Sequence, residues 1–182
     1  MIPVNLVGVF AVGPEEFLCA LLEWEEEQRY VPVWLSLTEG AALAAALDGD
    51  GDKRRPSAHD AMAEIISRAT SGIDGVTIVS YYQGVFISEL SLIDGTRIDM
   101  RTSDALLLAV ATDTQIAATE QVLQHASMRI PASAAKELFD LDVEDDLVEE
   151  ELPGEFEQFM RELGLDGDGG EDGGSDKPSS SS

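Results

Sequence analysis

Two short stretches carry residue types that could do chemistry. Arg55-Pro56-Ser57-Ala58-His59-Asp60 and Arg101-Thr102-Ser103-Asp104 each set an arginine two residues ahead of a serine, with an aspartate close behind. A helix start presents unpaired N–H groups and the positive end of the helix field, so a guanidinium beside it makes an anion site. Arg55, Ser57, Arg101 and Ser103 are the candidate phosphate ligands. The same residue types also serve folding, because hydroxyls cap helices and a first turn favours a negative charge. His59 stands at a helix start beside Asp60. It can exchange a proton near neutral pH, and the helix field disfavours its charged form, which suits a general base or a metal ligand. His59, Asp60 and Asp104 are therefore the catalytic candidates. Glu39, Asp60 and Asp104 could share a divalent cation if three helix starts converge. His125 has no carboxylate neighbour in sequence and reads as structural; Trp34 and Tyr82 read as packing rather than base-stacking platforms.

The elements that must position these residues follow from periodicity. Met1 to Val12 is apolar on both alternating faces, the pattern of a covered central strand. Glu16–Trp24 and Tyr30–Leu35 are further strands, with Pro32 requiring an edge or a bulge. Thr38 is expected to cap a helix through Leu47 that is rich in small residues. Ser57 and Asp60 match the capping-box spacing. The helix after them carries a stripe of Ala58, Ala61, Met62, Ile65, Ile66 and Ala69, expected to be buried with His59 off it. Residues 75–100 predict a three-stranded antiparallel meander turning at Gln83-Gly84 and Asp94-Gly95. A helix capped by Thr102 or Ser103 comes next, then a short strand at Gln115–Ala118 and a helix capped by Thr119. Ala132 to Phe139 is a further helical segment, ahead of the acidic run Leu141 to Glu151. Phe156, Phe159, Met160 and Leu163 recur at i, i+3, i+4 and i+7, an amphipathic helix too short to stand alone. It should dock on something, and a protein partner is one candidate.

Charge is unevenly placed. The chain carries a formal net charge of -25, with 17 acids and 3 bases in residues 131–182 and 19 acids and 8 bases in residues 1–130. An acidic body opposes broad duplex binding. A local cationic site survives, because exposed charges beyond a Debye length of about 8 Å are screened. No apolar run reaches the roughly 18 residues of a membrane span, and the apolar start lacks a basic n-region. No membrane association and a cytoplasmic location are the expectation. The one cysteine, Cys19, reads as an inert core thiol. Asp48 to Lys53 has the carboxylates of a calcium loop but neither its glycine nor its closing glutamate at the required offsets.

Four blocks together resemble the bifunctional nuclease domain family. They are Tyr30-Val31-Pro32-Val33-Trp34 with Glu39-Gly40-Ala41-Ala42-Leu43-Ala44; Arg55-Pro56-Ser57-Ala58-His59-Asp60; Gly84-Val85-Phe86 with Asp94-Gly95; and Arg101-Thr102-Ser103-Asp104-Ala105. Thr102 stands where the family usually has proline, and the segment from Asp48 to Arg54 is longer than usual. The resemblance implies an α+β fold, which the element order reads as a mixed, mainly antiparallel sheet with a few short helices, and composition adds an acidic disordered tail from Gly164 on. It also implies self-association into a homo-oligomer and nuclease activity on DNA or RNA. The expected division is a nuclease-like domain at 1–130, an acidic segment with short amphipathic helices at 131–163, and a tail at 164–182. The expected function is metal-dependent phosphodiester hydrolysis with Mg²⁺ or Mn²⁺. The alternative is a non-catalytic regulatory or protein-interaction module with an anion-binding helix start.

Overall fold

The computed structural model describes residues 1–49, 55–143 and 154–164. Most of the calcium-like loop, most of the acidic run after Val143 and the tail from residue 165 lie outside the described residues. Among the described residues seven strands and six α-helices follow in chain order: β1 (Ile2–Val12), β2 (Phe17–Trp24), β3 (Arg29–Leu35), α1 (Leu37–Leu47), α2 (Ala58–Ala69), β4 (Ile73–Tyr82), β5 (Val85–Leu92), β6 (Arg97–Arg101), α3 (Thr102–Thr112), β7 (Ile116–Ala118), α4 (Glu120–Ala126), α5 (Ala132–Phe139) and α6 (Gly154–Glu162). The strands form one mixed sheet in the order β3-β2-β1-β7-β4-β5-β6, an α+β fold. Among the described strands only β4 and β7 pair in parallel. β1 is an interior strand, as its two apolar faces require, and Pro32 lies on the edge strand β3.

Alternation along β2 shows how the sheet is covered. Ala20 and Leu22 face a core shared with α1, α2, α3 and α4, whereas Cys19 and Leu21 face a second core with Phe139, Phe156, Phe159 and Leu163. Phe156, Phe159 and Leu163 are thus buried on the chain's own sheet, with Met160 partly buried beside them. The amphipathic helix α6 does dock, and the surface proposed for a protein partner is occupied internally. Cys19 is buried here, and burial pushes its thiol up to about 12. Among the described residues no helix is long and apolar enough to cross a membrane.

Three local expectations change. The N-cap of α1 is Ser36, not Thr38, and its box with Glu39 is complete. The packed face of α2 is not the predicted stripe: Ile65 is 63% exposed and Met62 40%, while Ile66 is buried and His59 and Ala63 are partly covered. α2 meets α3 along a narrow face, so the broad apolar stripe points to solvent. The turn Gln83-Gly84 has positive φ at both residues, as a tight hairpin demands, but at Asp94-Gly95 only the glycine does. There the Asp94 carboxylate accepts from the Thr96 amide and closes a longer loop.

Close packing of α1 depends on Gly40. A Cβ there would stand 2.5 Å from Leu18 Cδ1 and 2.9 Å from Leu18 Cβ, so only glycine lets the helix lie against β2. That seating sets the start of α1 beside the start of α3.

Candidate active site at three helix starts

The starts of α1, α2 and α3 meet. Arg101 is the N-cap position of α3, extended at φ -65° and ψ 144°, and makes no side-chain cap. Its guanidinium reaches into the helix instead: Nε donates to Asp104 Oδ2 at 2.8 Å and Nη2 to Asp104 Oδ1 at 3.2 Å. Nη1 lies 3.1 Å from Glu39 Oε1 on α1. His59 Nε2 on α2 lies 3.0 Å from Asp104 Oδ1. Ser103 Oγ donates to Glu39 Oε1 at 2.9 Å, and Ser36 Oγ donates to Glu39 Oε2 at 2.6 Å. Thr102 and Ser103 are buried inside the helix rather than capping it, and Thr102 shares a 2.8 Å hydrogen bond with Ser88 of β5.

These contacts decide the charges. The Ser36 and Ser103 hydroxyls, the Ser36 amide and the Arg101 charge hold the Glu39 carboxyl below the usual glutamate range. Partial burial pushes Asp104 up. The hydrogen bonds and charges of Arg101 and His59 outweigh it, so the carboxyl lies below the ordinary aspartate range. The hydrogen bonds and charge of Asp104, and then the charge of Glu39, push Arg101 up. Both carboxylates are ionised at neutral pH. A carboxylate only accepts, so the neutral His59 ring must carry its hydrogen on Nε2 and keep its lone pair on Nδ1.

The predicted residues are not all brought together. Glu39, His59, Arg101, Ser103 and Asp104 form one connected cluster. Ser57 and Asp60 close a capping box on each other: Ser57 Oγ accepts from the Asp60 amide at 3.1 Å, and Asp60 Oδ2 accepts from the Ser57 amide at 2.7 Å. Arg55 is exposed ahead of that cap and takes no part in the cluster. Ser36 was missed, although Ser36-Leu37-Thr38-Glu39 has the Ser-x-x-Glu spacing that would have found it.

A divalent ion does not fit the ligand set that the sequence suggested. Arg101 stands between Glu39 and Asp104, and Asp60 faces its own cap. Among the described residues no three His, Cys, Asp or Glu side chains gather into a metal-binding group.

The family model for the bifunctional nuclease domain matches residues 20–131. The chain belongs to that family. Two relatives are uncharacterized proteins of Mycobacterium tuberculosis, one from strain CDC 1551 / Oshkosh and one from strain ATCC 25618 / H37Rv. Each is 28% identical over 163 residues, covering 90% of this chain and 95% of the relative. The bifunctional nuclease domain as matched contains all five residues of the cluster. It leaves out β1, an interior strand, and α5 and α6, which cover the second face of the sheet.

Proposed function

We propose that this bifunctional nuclease domain hydrolyses phosphodiester bonds of DNA or RNA at the meeting point of its three helix starts. The observation that carries the reading is the 3.0 Å contact between His59 Nε2 and Asp104 Oδ1, an imidazole held in one tautomer by a carboxylate on another helix. His59 Nδ1 then takes a proton from water as the water oxygen bonds to phosphorus. The bond to the leaving sugar oxygen breaks, and that oxygen is protonated from solvent. Asp104 stabilises the imidazolium that forms. A guanidinium has five N–H donors, more than its contacts with Glu39 and Asp104 use. Arg101 is 72% exposed, so its outer edge can meet a phosphate oxygen. A divalent ion would have to displace Arg101 from both carboxylates, and no step here runs through one.

Hydrolysis of a labelled oligonucleotide by intact protein and by His59→Ala, prepared identically, tests the reading. The expected result is a fall in kcat of about 100- to 10,000-fold, the range for loss of a general base. An unchanged rate would assign the hydrolysis to a contaminant. One observation favours a second reading, a regulatory module without catalysis: both cluster carboxylates already have partners, as a network that merely ties helices would. An intact protein that binds oligonucleotide without cleaving it, with or without Mg²⁺ or Mn²⁺, would establish that reading. Self-association and a cytoplasmic location remain part of the proposal, the former read by sedimentation velocity.

A further inference from the structure

Outside the His59 cluster, a cavity of about 320 Å³ opens between β3, the end of β4, the end of α4 and α6. Its lining includes Pro32, Trp34, Tyr81, His125, Glu155 and Gln158. The volume is at the lower end for small-ligand sites. Two of its walls are aromatic rings held by other rings. Trp34 stacks on Phe159 with centroids 5.6 Å apart and planes 14° apart, and stays 38% exposed. Tyr81 lies 4.5 Å from Phe86 and is 37% exposed. Trp34 thus packs, as its sequence context suggests, yet leaves open surface at the cavity.

The polar lining carries no unbalanced charge. Glu155 pairs with Arg29 at 3.1 Å, and Arg29 is fixed by donating to the Ser127 hydroxyl and carbonyl at 2.8 and 2.6 Å. His125 Nδ1 donates to the Gln121 carbonyl at 2.7 Å, so its neutral ring presents Nε2 as an acceptor. Gln158 adds an amide. Flat apolar walls with neutral donors and acceptors at the rim do not suit a phosphate. They suit a planar, uncharged heterocycle.

Along the chain, two cavity residues adjoin positions tied to the cluster. Trp34 precedes by two residues Ser36, the cap that holds Glu39. Tyr81 pairs with Phe86, while Ile87 pairs with both Ser80 and Arg101. Ser80 and Arg101 are thus two strand spacings apart, about 10 Å.

We infer that this cavity receives an unpaired base of a single-stranded nucleic acid whose backbone passes the helix starts. The inference rests on the nuclease reading for the position of the backbone. A base paired and stacked within a duplex cannot enter such a site, whereas a splayed base can.

Trp34 reports occupancy in a Trp24→Phe background of the full chain, with His59→Ala added so that the strand is not cut. The probes are a single-stranded thymidine oligonucleotide, the same strand with abasic sites, its duplex, and thymidine alone. The expected result is quenching of Trp34 by the intact single strand only, with abasic and duplex forms bound more weakly by about 5- to 150-fold, the range for one lost base stack. Tyr81→Ala should weaken the single strand to the same extent and Tyr81→Phe should restore it, which separates stacking from misfolding. Equal affinity for intact and abasic strands, or Trp34 emission unmoved at saturation, would overturn the inference even if His59-dependent hydrolysis is found. Thymidine quenching at the same concentrations as the strand would assign the cavity to free nucleosides instead. Quenching by the intact strand in a protein that never hydrolyses it would sink the nuclease reading and leave the base site standing.

Discussion

The starts of α2 and α3 are written almost alike, Arg-Pro-Ser and Arg-Thr-Ser, and do different things. At α2 the serine takes the cap position, and its bonds with Asp60 close within four residues. Arg55 is left exposed ahead of the cap. At α3 strand β6 runs directly into the helix, so the arginine itself takes the cap position. That two-residue shift carries Ser103 and Asp104 into the first turn with no local amide to satisfy. Their side chains bond across to α1 and α2 instead. Similar local chemistry becomes a capping box in one place and a junction in the other. The deciding variable is which residue leaves extended geometry last.

If the α3 start is the working one, Asp104→Asn should have the largest effect after the loss of His59 itself. It replaces the acceptor-only carboxylate that fixes the His59 tautomer by an amide that can also donate, and it removes the anion that holds Arg101. The fall in kcat for oligonucleotide hydrolysis should reach about 100-fold or more. Loss of less than about twofold, below any general-base effect, would mean that the two starts are equally inert. Arg101→Ala comes next, with loss of phosphate contact and an added consequence. Glu39 and Asp104 would then face each other without their shared cation, and Mn²⁺ affinity measured by titration calorimetry should rise above that of the unaltered protein. Equal Mn²⁺ affinity would show that Arg101 is not what keeps an ion out. Ser57→Ala should cost about 1 kcal/mol in urea unfolding, as a lost cap does, with little change in hydrolysis. A large loss of activity from Ser57→Ala would erase the distinction between the two starts.

The smallest effect is a pH dependence. Asp104 and Glu39 both have folded-state values below their usual range. Their contribution is therefore complete above the unfolded value near pH 4 and is lost as pH falls through the lower folded value. The stability gap between the unaltered protein and Asp104→Asn should stay level from about pH 5 to 7 and narrow below about pH 4. A gap that instead narrows on going from pH 5 to pH 7 would place the titrating group elsewhere.

Much of the fold was legible because it is local. The meander shows in its turns, α2 in its capping box, and the α6 helix in the spacing of Phe156, Phe159 and Leu163. The burial of α2 was misread because Ala58, Ala61, Met62, Ile65 and Ala69 form a regular stripe that nothing within the described residues covers. Periodicity reports which side of a helix is apolar, not whether a neighbour arrives to bury it. The cap of α3 was misplaced for a related reason: Thr102 and Ser103 are good caps in isolation, but β6 delivers an extended Arg101 ahead of them.

By itself the sequence determined which residue types stand at each helix start, that β1 must be covered on both faces, and that α6 had to find an apolar surface. These follow from periodicity and from side-chain chemistry a few residues apart. Only the tertiary structure decided that Glu39, His59, Arg101 and Asp104 touch, that Asp60 faces its own cap, and that Trp34 borders a cavity. Hydrogen bonds and ion pairs act over a few ångströms, and the Gly40 contact with Leu18 and the packing of α1 and α2 on α3 bring residues 39, 59 and 104 within that range. No local pattern encodes such distances.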